Sequence, residues 1–355
     1  MHEKTTICTL VSIVLASSYV NAVEVYSDET TSIKVDGRIE VRGNISDANK
    51  SEFGDNAFKD ASRVRLNIEG MEKVSDSVSL LARYEFEMSE IAPGQYDTSG
   101  INTRHLYAGV QTGFGTVTYG HQNNASTMLT DWTDLAETFS GYVNEYSVAS
   151  ADRTNGVLAY RLGLDSKFDF AASINIDSEH QNSSIGSVNT STGDVAEYTG
   201  YSATGSYAIT DSISLGLGYM SSTQVEDSNS YSDSGLIAAK YKANGINIAA
   251  MLMSGEIADN GDTYGLYGSS DFTAYDLYAG YTFGKNNINL TRSYFDVDNE
   301  AFRELNVDFI AVEYARYINN SSLYVSYKIN QLGEDEGGIL DNNENELQFG
   351  FRYMF

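Results

Sequence analysis

From residue 31 onward, apolar and polar side chains alternate with a period of two. In the first such segment Ile33, Val35, Ile39 and Val41 share one face, while Lys34, Asp36, Arg38, Glu40 and Arg42 share the other. Alternation of this kind sends successive side chains to opposite faces of a β-strand. The next segments repeat it: Val64, Leu66 and Ile68 oppose Arg63, Arg65, Asn67 and Glu69, then Leu80, Ala82, Tyr84 and Phe86 oppose Ser79, Arg83, Glu85 and Glu87. Clear examples follow at 168–176, 213–219, 275–283 and 323–329, with weaker ones near 102–111, 114–122, 155–161, 198–207, 235–241, 246–253, 287–295 and 306–315. The segment 347–355 closes the series, with Gln348, Gly350 and Arg352 opposite Leu347, Phe349, Phe351, Tyr353 and Phe355. Sixteen strands are predicted, at about 21 residues per strand and connection, and no sustained helical period interrupts them.

A soluble sheet with one wet face also alternates, but composition favours a membrane. One proline, Pro93, occurs in the whole chain, as expected where every backbone amide must stay in a ladder because lipid offers no substitute for water. The 31 glycines suit tight turns and close strand packing, and the 26 tyrosines and 15 phenylalanines suit aromatic belts at two interfaces. After residue 22 no apolar run approaches the roughly 20 residues of a membrane helix, so a spanning structure must be a closed barrel with an apolar shell and a polar lumen.

Residues 1–22 have the parts of a secretory signal: Lys4, an apolar core from Ile7 to Ala16, and small residues at the exit, ending in Ala22. Residues 23–355 then form the mature domain. Its charge stays at −27, since Glu3 and Lys4 leave together, and Cys8, the only cysteine, is removed. That excludes disulfides and thiolate metal sites and makes nucleic acid an unsuitable partner. The acidic excess lies largely in loops such as 226–233 and 334–346. An outward face of this kind would collect divalent cations and bridge to anionic lipopolysaccharide. No metal and no cofactor is expected to take part in chemistry. His105, His121 and His180 lack metal-ligand spacing and lack a Ser or Asp partner that spacing would nominate, so the chain does not read as an enzyme.

Two features depart from the repeat. Between Thr103 and Val110, His105 falls at an outward position and Leu106 at an inward one, which is taken as a sign of an oligomer interface. Residues 123–152 show no strand pattern and combine Asp131, Asp134, Glu137 and Glu145 with Trp132 and Phe139. Loops of that length are usually functional. One carrying both aromatic residues and acids could pack against a barrel wall and put carboxylates at the narrowest point.

Several segments, in this order and spacing, resemble the general trimeric porins of Gram-negative outer membranes from Val23 to Phe355. They are Val35-Asp36-Gly37-Arg38, Val64 to Gly70, Thr103 to Gly109, Gly113 to Gly120, Arg153 with Gly156 to Arg161, and the terminal Phe355. The resemblance implies an all-β, sixteen-stranded antiparallel transmembrane β-barrel with an inward-folded third loop at 123–152. It implies a basic ladder of Arg38, Arg65, Arg104 and Arg153 facing Asp134 and either Glu137 or Asp131, and a homotrimer. It also implies a candidate subunit latch at Glu90, with His121 in place of the usual basic partner. Phe351, Tyr353 and Phe355 would be the signal read by the barrel-assembly machinery. The loop departs from the family's usual Pro-Glu-Phe-Gly-Gly turn, having Ala136-Glu137-Thr138-Phe139-Ser140-Gly141. Passive diffusion of ions and small hydrophilic solutes, with weak cation preference, is the expected function. The alternative is a channel selective for a sugar or other nutrient along an aromatic track of Tyr278, Tyr324 and Phe139.

Overall fold

The computed structural model describes residues 23–50, 55–89, 101–145, 148–164, 167–179, 197–224, 230–260, 265–334, 336–337 and 343–355. Residues 1–22 and Glu90 lie outside them. Sixteen long strands close into one ring. The first half contains β1 (Thr31–Ser46), β2 (Arg63–Ser75), β3 (Val78–Ser89), β4 (Ile101–Thr112), β5 (Gly115–Asn123), β6 (Arg153–Leu164), β7 (Phe168–Glu179) and β8 (Glu197–Ala208). The second contains β9 (Ile213–Gln224), β10 (Tyr231–Ala243), β11 (Ile246–Asn260), β12 (Tyr267–Phe283), β13 (Asn286–Val297), β14 (Val307–Ile318), β15 (Ser321–Asn330) and β16 (Glu346–Met354). Each pairs antiparallel with its sequence neighbour, and β16 pairs with β1 to close the ring. No described helix is long and apolar enough to cross a membrane.

The period-two pattern explains the two surfaces. On β9 and β10, Leu217 and Ile237 point outward at 68 % and 60 % exposure, while the inward Ser202 and Thr204 of β8 are buried at 1–2 %. Short turns join strands at one end of the barrel. Asn244 and Gly245 both take positive φ, as a two-residue hairpin turn requires. The strand ends that flank the longer connections lie at the other end. A short segment, Val23–Ser27, continues along β1 beyond the point where β16 stops. Gly37 exchanges backbone hydrogen bonds of 2.9 and 3.1 Å with Phe355, and Val23 then pairs with Val35.

Two expectations need correction. The irregularity at Thr103 to Val110 is a β-bulge: Thr103 pairs with Phe86 and His105 with Glu85, leaving Arg104 as an extra residue. Both Arg104 and His105 therefore turn inward, and Leu106 faces out at 56 % exposure. The apparent swap was a phase shift, so it carries no sign of an interface. In addition, β12 begins at Tyr267, well before residue 275, because Ser270, Phe272 and Ala274 continue the inward face while the outward positions Asp271 and Thr273 are polar. Those positions sit on the part of the barrel nearest the long loops, where an apolar exterior is not required.

Candidate constriction site

The loop between β5 and β6 runs across the inside of the wall, reaching out from β7 to β16 and folding back. At its root Asn124 donates to the Asp152 carbonyl through both its backbone N–H (3.1 Å) and its side chain (2.7 Å), which ties the two ends together. The Ala125 N–H reaches the hydroxyls of Ser173 (3.0 Å) and Ser202 (2.9 Å), and Thr204 donates to the Ala125 carbonyl at 2.8 Å. Leu129 is fully buried against β9, where a side chain at Gly216 would place its Cβ 2.4 Å from Leu129 Cδ2. On β10 the Lys240 ammonium lies 4.1 Å from the centre of the Trp132 ring.

The tip is held by hydrogen-bonding side chains of the far wall. Asp276 on β12 accepts from the Val143 N–H at 3.3 Å, and Thr291 on β13 donates to the Phe139 carbonyl at 2.6 Å. Glu313 on β14 is 2 % exposed and is the main anchor. It accepts from the Glu137 N–H (2.9 Å), Thr138 Oγ1 (3.2 Å), Asn289 Nδ2 (2.9 Å) and Ser326 Oγ (2.6 Å). Beneath the tip, Phe139 and Tyr142 set their rings edge-on to Phe309. Hydrogen-bonded ends with an apolar middle make this a docked structure, because most of the polar groups that leave water gain a partner.

The opposite wall, β1 to β4, carries paired charge. Strand register aligns it in rows: Arg352, Glu40 and Arg63; Arg38, Arg65 and Glu87; Asp36, Asn67 and Glu85. Arg65 donates to Glu87 at 2.6 Å, Arg38 lies 3.5 Å from the same carboxylate, and Arg104 donates to Glu85 at 2.9 Å. Glu40 is fully enclosed by Arg42, Arg63 and Arg352. Adjacent arginines are tolerable because interleaved glutamates offset their repulsion.

A family profile for Gram-negative porins matches residues 9–355. Among relatives, porin-like protein L of Photobacterium profundum is 30 % identical over 99 % of this chain and all of its own. Outer membrane protein U of Vibrio parahaemolyticus is 28 % identical over the same shares. Among solved structures, Salmonella typhi OmpF in complex with daunomycin superposes with a TM-score of 0.78 at 19 % identity, covering 94 % of this chain and all of that one. An anion-selective porin from Comamonas acidovorans gives 0.67 at 16 % identity, covering 92 % of this chain and all of its own. The chain belongs to the Gram-negative porin family. It is an outer-membrane channel protein, not an enzyme.

In this porin the residues singled out from sequence occupy distinct positions. Arg38, Arg65 and Arg104 share the charged wall, whereas Arg153 stands where β6 resumes, as the ladder partner of Asn123. Asp134 is exposed to the lumen and accepts from Ser140 at 2.8 Å; its charge feels Arg104 and Arg38 across the space between. Asp131 is half-buried, and burial together with Asp134 and Asp152 pushes its carboxyl up to about 7, against the pull of Arg161 and Arg153. Glu137 turns to the wall, pairing with Arg352. His121 pairs with Leu106 and shares its outward face. Phe351 and Tyr353 face outward at 43 % exposure each, with Phe355 stacked on Tyr353 at 6.4 Å. Among the described residues no group of three or more His, Cys, Asp or Glu side chains is placed to hold a metal.

Sequence reasoning did not nominate Glu40, Arg63, Glu85, Glu87, Arg352 or Glu313. All but Glu313 stood on polar faces that alternation had assigned. What singles them out is register, which brings strands β16, β1, β2 and β3 together.

Proposed function

We propose that this porin passes ions and small hydrophilic solutes by passive diffusion through a constriction set between the docked loop and the arginine wall, with a weak preference for cations. The docking of the loop tip on Glu313, with Asp134 exposed on the same loop and within electrostatic reach of Arg104 and Arg38, supports this reading. Opposed rows of fixed charge produce a transverse field that favours polar solutes. Of the three loop acids, Asp131 and Asp134 would supply the acidic side while Glu137 is turned to Arg352 on the wall, and Arg38, Arg65, Arg104 and Arg153 would supply the basic side. A Comamonas porin of the same fold is described as anion-selective, so the barrel fold alone does not set the sign of selectivity.

An aromatic sugar track finds little support. Tyr278 and Tyr324 are each 4 % exposed and Phe139 is 1 % exposed; Tyr324 is engaged by Glu40. The outer faces of β1 and β2 offer Ile33, Val35, Val64 and Leu66 to a homotrimer. A related porin fold, OmpT of Vibrio cholerae, is described in a trimer form. The reading also includes removal of residues 1–22, recognition of Phe351, Tyr353 and Phe355 by the barrel-assembly machinery, and lipopolysaccharide held to the acidic rim through divalent cations.

Planar-bilayer recording under a salt gradient tests it. Large steps in groups of three with mild cation preference are expected. An unconducting protein, or one blocked by micromolar sugar, would sink the open-channel reading.

A further inference from the structure

We infer that Arg352 is a positioning residue that neutralises Glu137 and ties the tip of the constriction loop to the seam where β16 meets β1. The inference rests on the constriction reading and adds a specific holder to it. Arg352 projects inward from β16 with its side chain 10 % exposed. One edge of the guanidinium is held by Glu40 Oε1, with Nε at 3.1 Å and Nη2 at 2.7 Å. The other edge meets the Glu137 carboxylate through Nη1, and Nη2 lies 3.4 Å from the Glu137 carbonyl oxygen. The Tyr324 ring lies 5.8 Å from the guanidinium carbon, and its hydroxyl donates to the same Glu40 oxygen at 2.6 Å.

Glu40 is itself immobilised. Its second oxygen takes Arg63 Nε at 2.5 Å and Arg42 Nη2 at 3.2 Å, leaving its side chain with no exposure. Arg352 is therefore aimed by groups on β1, β2 and β15 before the loop arrives. A planar fork with five donors can serve two carboxylates at once; an ammonium on a flexible stem cannot hold both in fixed directions.

Two consequences follow. Glu137 contributes little net charge to the lumen, so the acidic side of the filter is carried by Asp134 and Asp131. The tip is also fastened by Arg352 in addition to Glu313, Thr291 and Asp276, and this further fastening is to the strands that close the barrel.

The test is a double-mutant cycle in reconstituted channels, reading the cation-to-anion permeability ratio and open-channel noise. Arg352→Met should raise the ratio by about twofold, the effect of one uncompensated charge near the ion path. In that background Glu137→Gln should reverse most of the rise, whereas in the wild type it should move the ratio much less than Asp134→Asn does. Arg352→Lys should restore most of the wild-type ratio but leave the noise raised. An equal effect of Glu137→Gln in both backgrounds would overturn the inference. If Arg352→Met does not insert, Arg352→Lys with Glu137→Gln completes the same cycle with noise as the readout. Asp134→Asn separates the two readings. If it leaves the ratio unchanged while the cycle shows coupling, the constriction reading fails and the Arg352–Glu137 link stands. If it shifts the ratio while the cycle is additive, this inference alone fails.

Discussion

The inner wall has two unlike halves. From β1 to β4 it is lined with arginines and glutamates at matched register, whereas from β7 to β14 it offers Ser173, Ser202, Thr204, Thr291 and Ser293 around a dry patch containing Phe272, Phe295 and Phe309. The first half faces open lumen and the second is covered by the loop. Charge placed under the loop would have to give up water, at a cost of several kcal/mol for each unpaired ion, so the covered half relies mainly on hydroxyls and supplies its buried charges with partners. Glu313 and Asp276 are two of these beneath the loop tip. A charged wall and a docking wall are thus separate solutions, and the ion path lies along their boundary.

Removing the main anchor should blur that division most. Glu313→Ala deprives Glu137, Thr138, Asn289 and Ser326 of their acceptor and should weaken tip docking by on the order of 3 kcal/mol. Single-channel records should show larger conductance with frequent substates; a quiet channel of wild-type size would show that the loop holds without Glu313. Next is Gly141→Ala. Gly141 has φ of +76°, and an added Cβ would sit 2.7 Å from the Asp134 Cγ. Backbone strain of about 1–2 kcal/mol together with a displaced carboxylate should lower cation preference without unfolding the barrel, as read by reversal potential beside gel mobility of the unheated protein.

On the charged wall the effects should be smaller. Arg65→Gln leaves the loop untouched and should raise the cation-to-anion ratio by about twofold, with conductance nearly unchanged. The smallest effect belongs to Asp131. Because its carboxyl is pushed up to about 7, it is neutral below that pH and charged above. Cation preference should therefore fall as pH drops through neutrality, while the neighbouring arginines stay charged throughout. Asp131→Asn should flatten this step, and a step that survives the substitution would place the titrating group elsewhere.

Strand number, face assignment and the existence of the loop could all be read along the chain, because a lumen and a lipid shell impose opposite chemistry on neighbouring residues. The bulge at Arg104 could not. One inserted residue shifts the phase without changing composition, so strict alternation exchanges the faces of His105 and Leu106. The beginning of β12 was also hidden, since above the apolar zone Asp271 and Thr273 need not be hydrophobic. Arg38 and Arg65 were assigned to the lumen by alternation alone, but their glutamate partners emerge only from cross-strand register. Glu313 carried no local mark at all: what identifies it is a loop more than a hundred and seventy residues away in the chain. Contacts of that kind have no periodicity from which to be predicted.

The seam between β1 and β16 sets a schedule for folding. Every other strand pairs with its sequence neighbour and can form as a hairpin, but Ser46 finds Glu346 only across nearly the whole chain. Such long-range closure is entropically slow, and it must come last because the curved sheet has to exist first. Until then two edges stand open, each with unpaired amides that lipid cannot satisfy. The ion cluster at Glu40 lies on this seam, so its charges stay in contact with water until closure and are enclosed only as the barrel is completed.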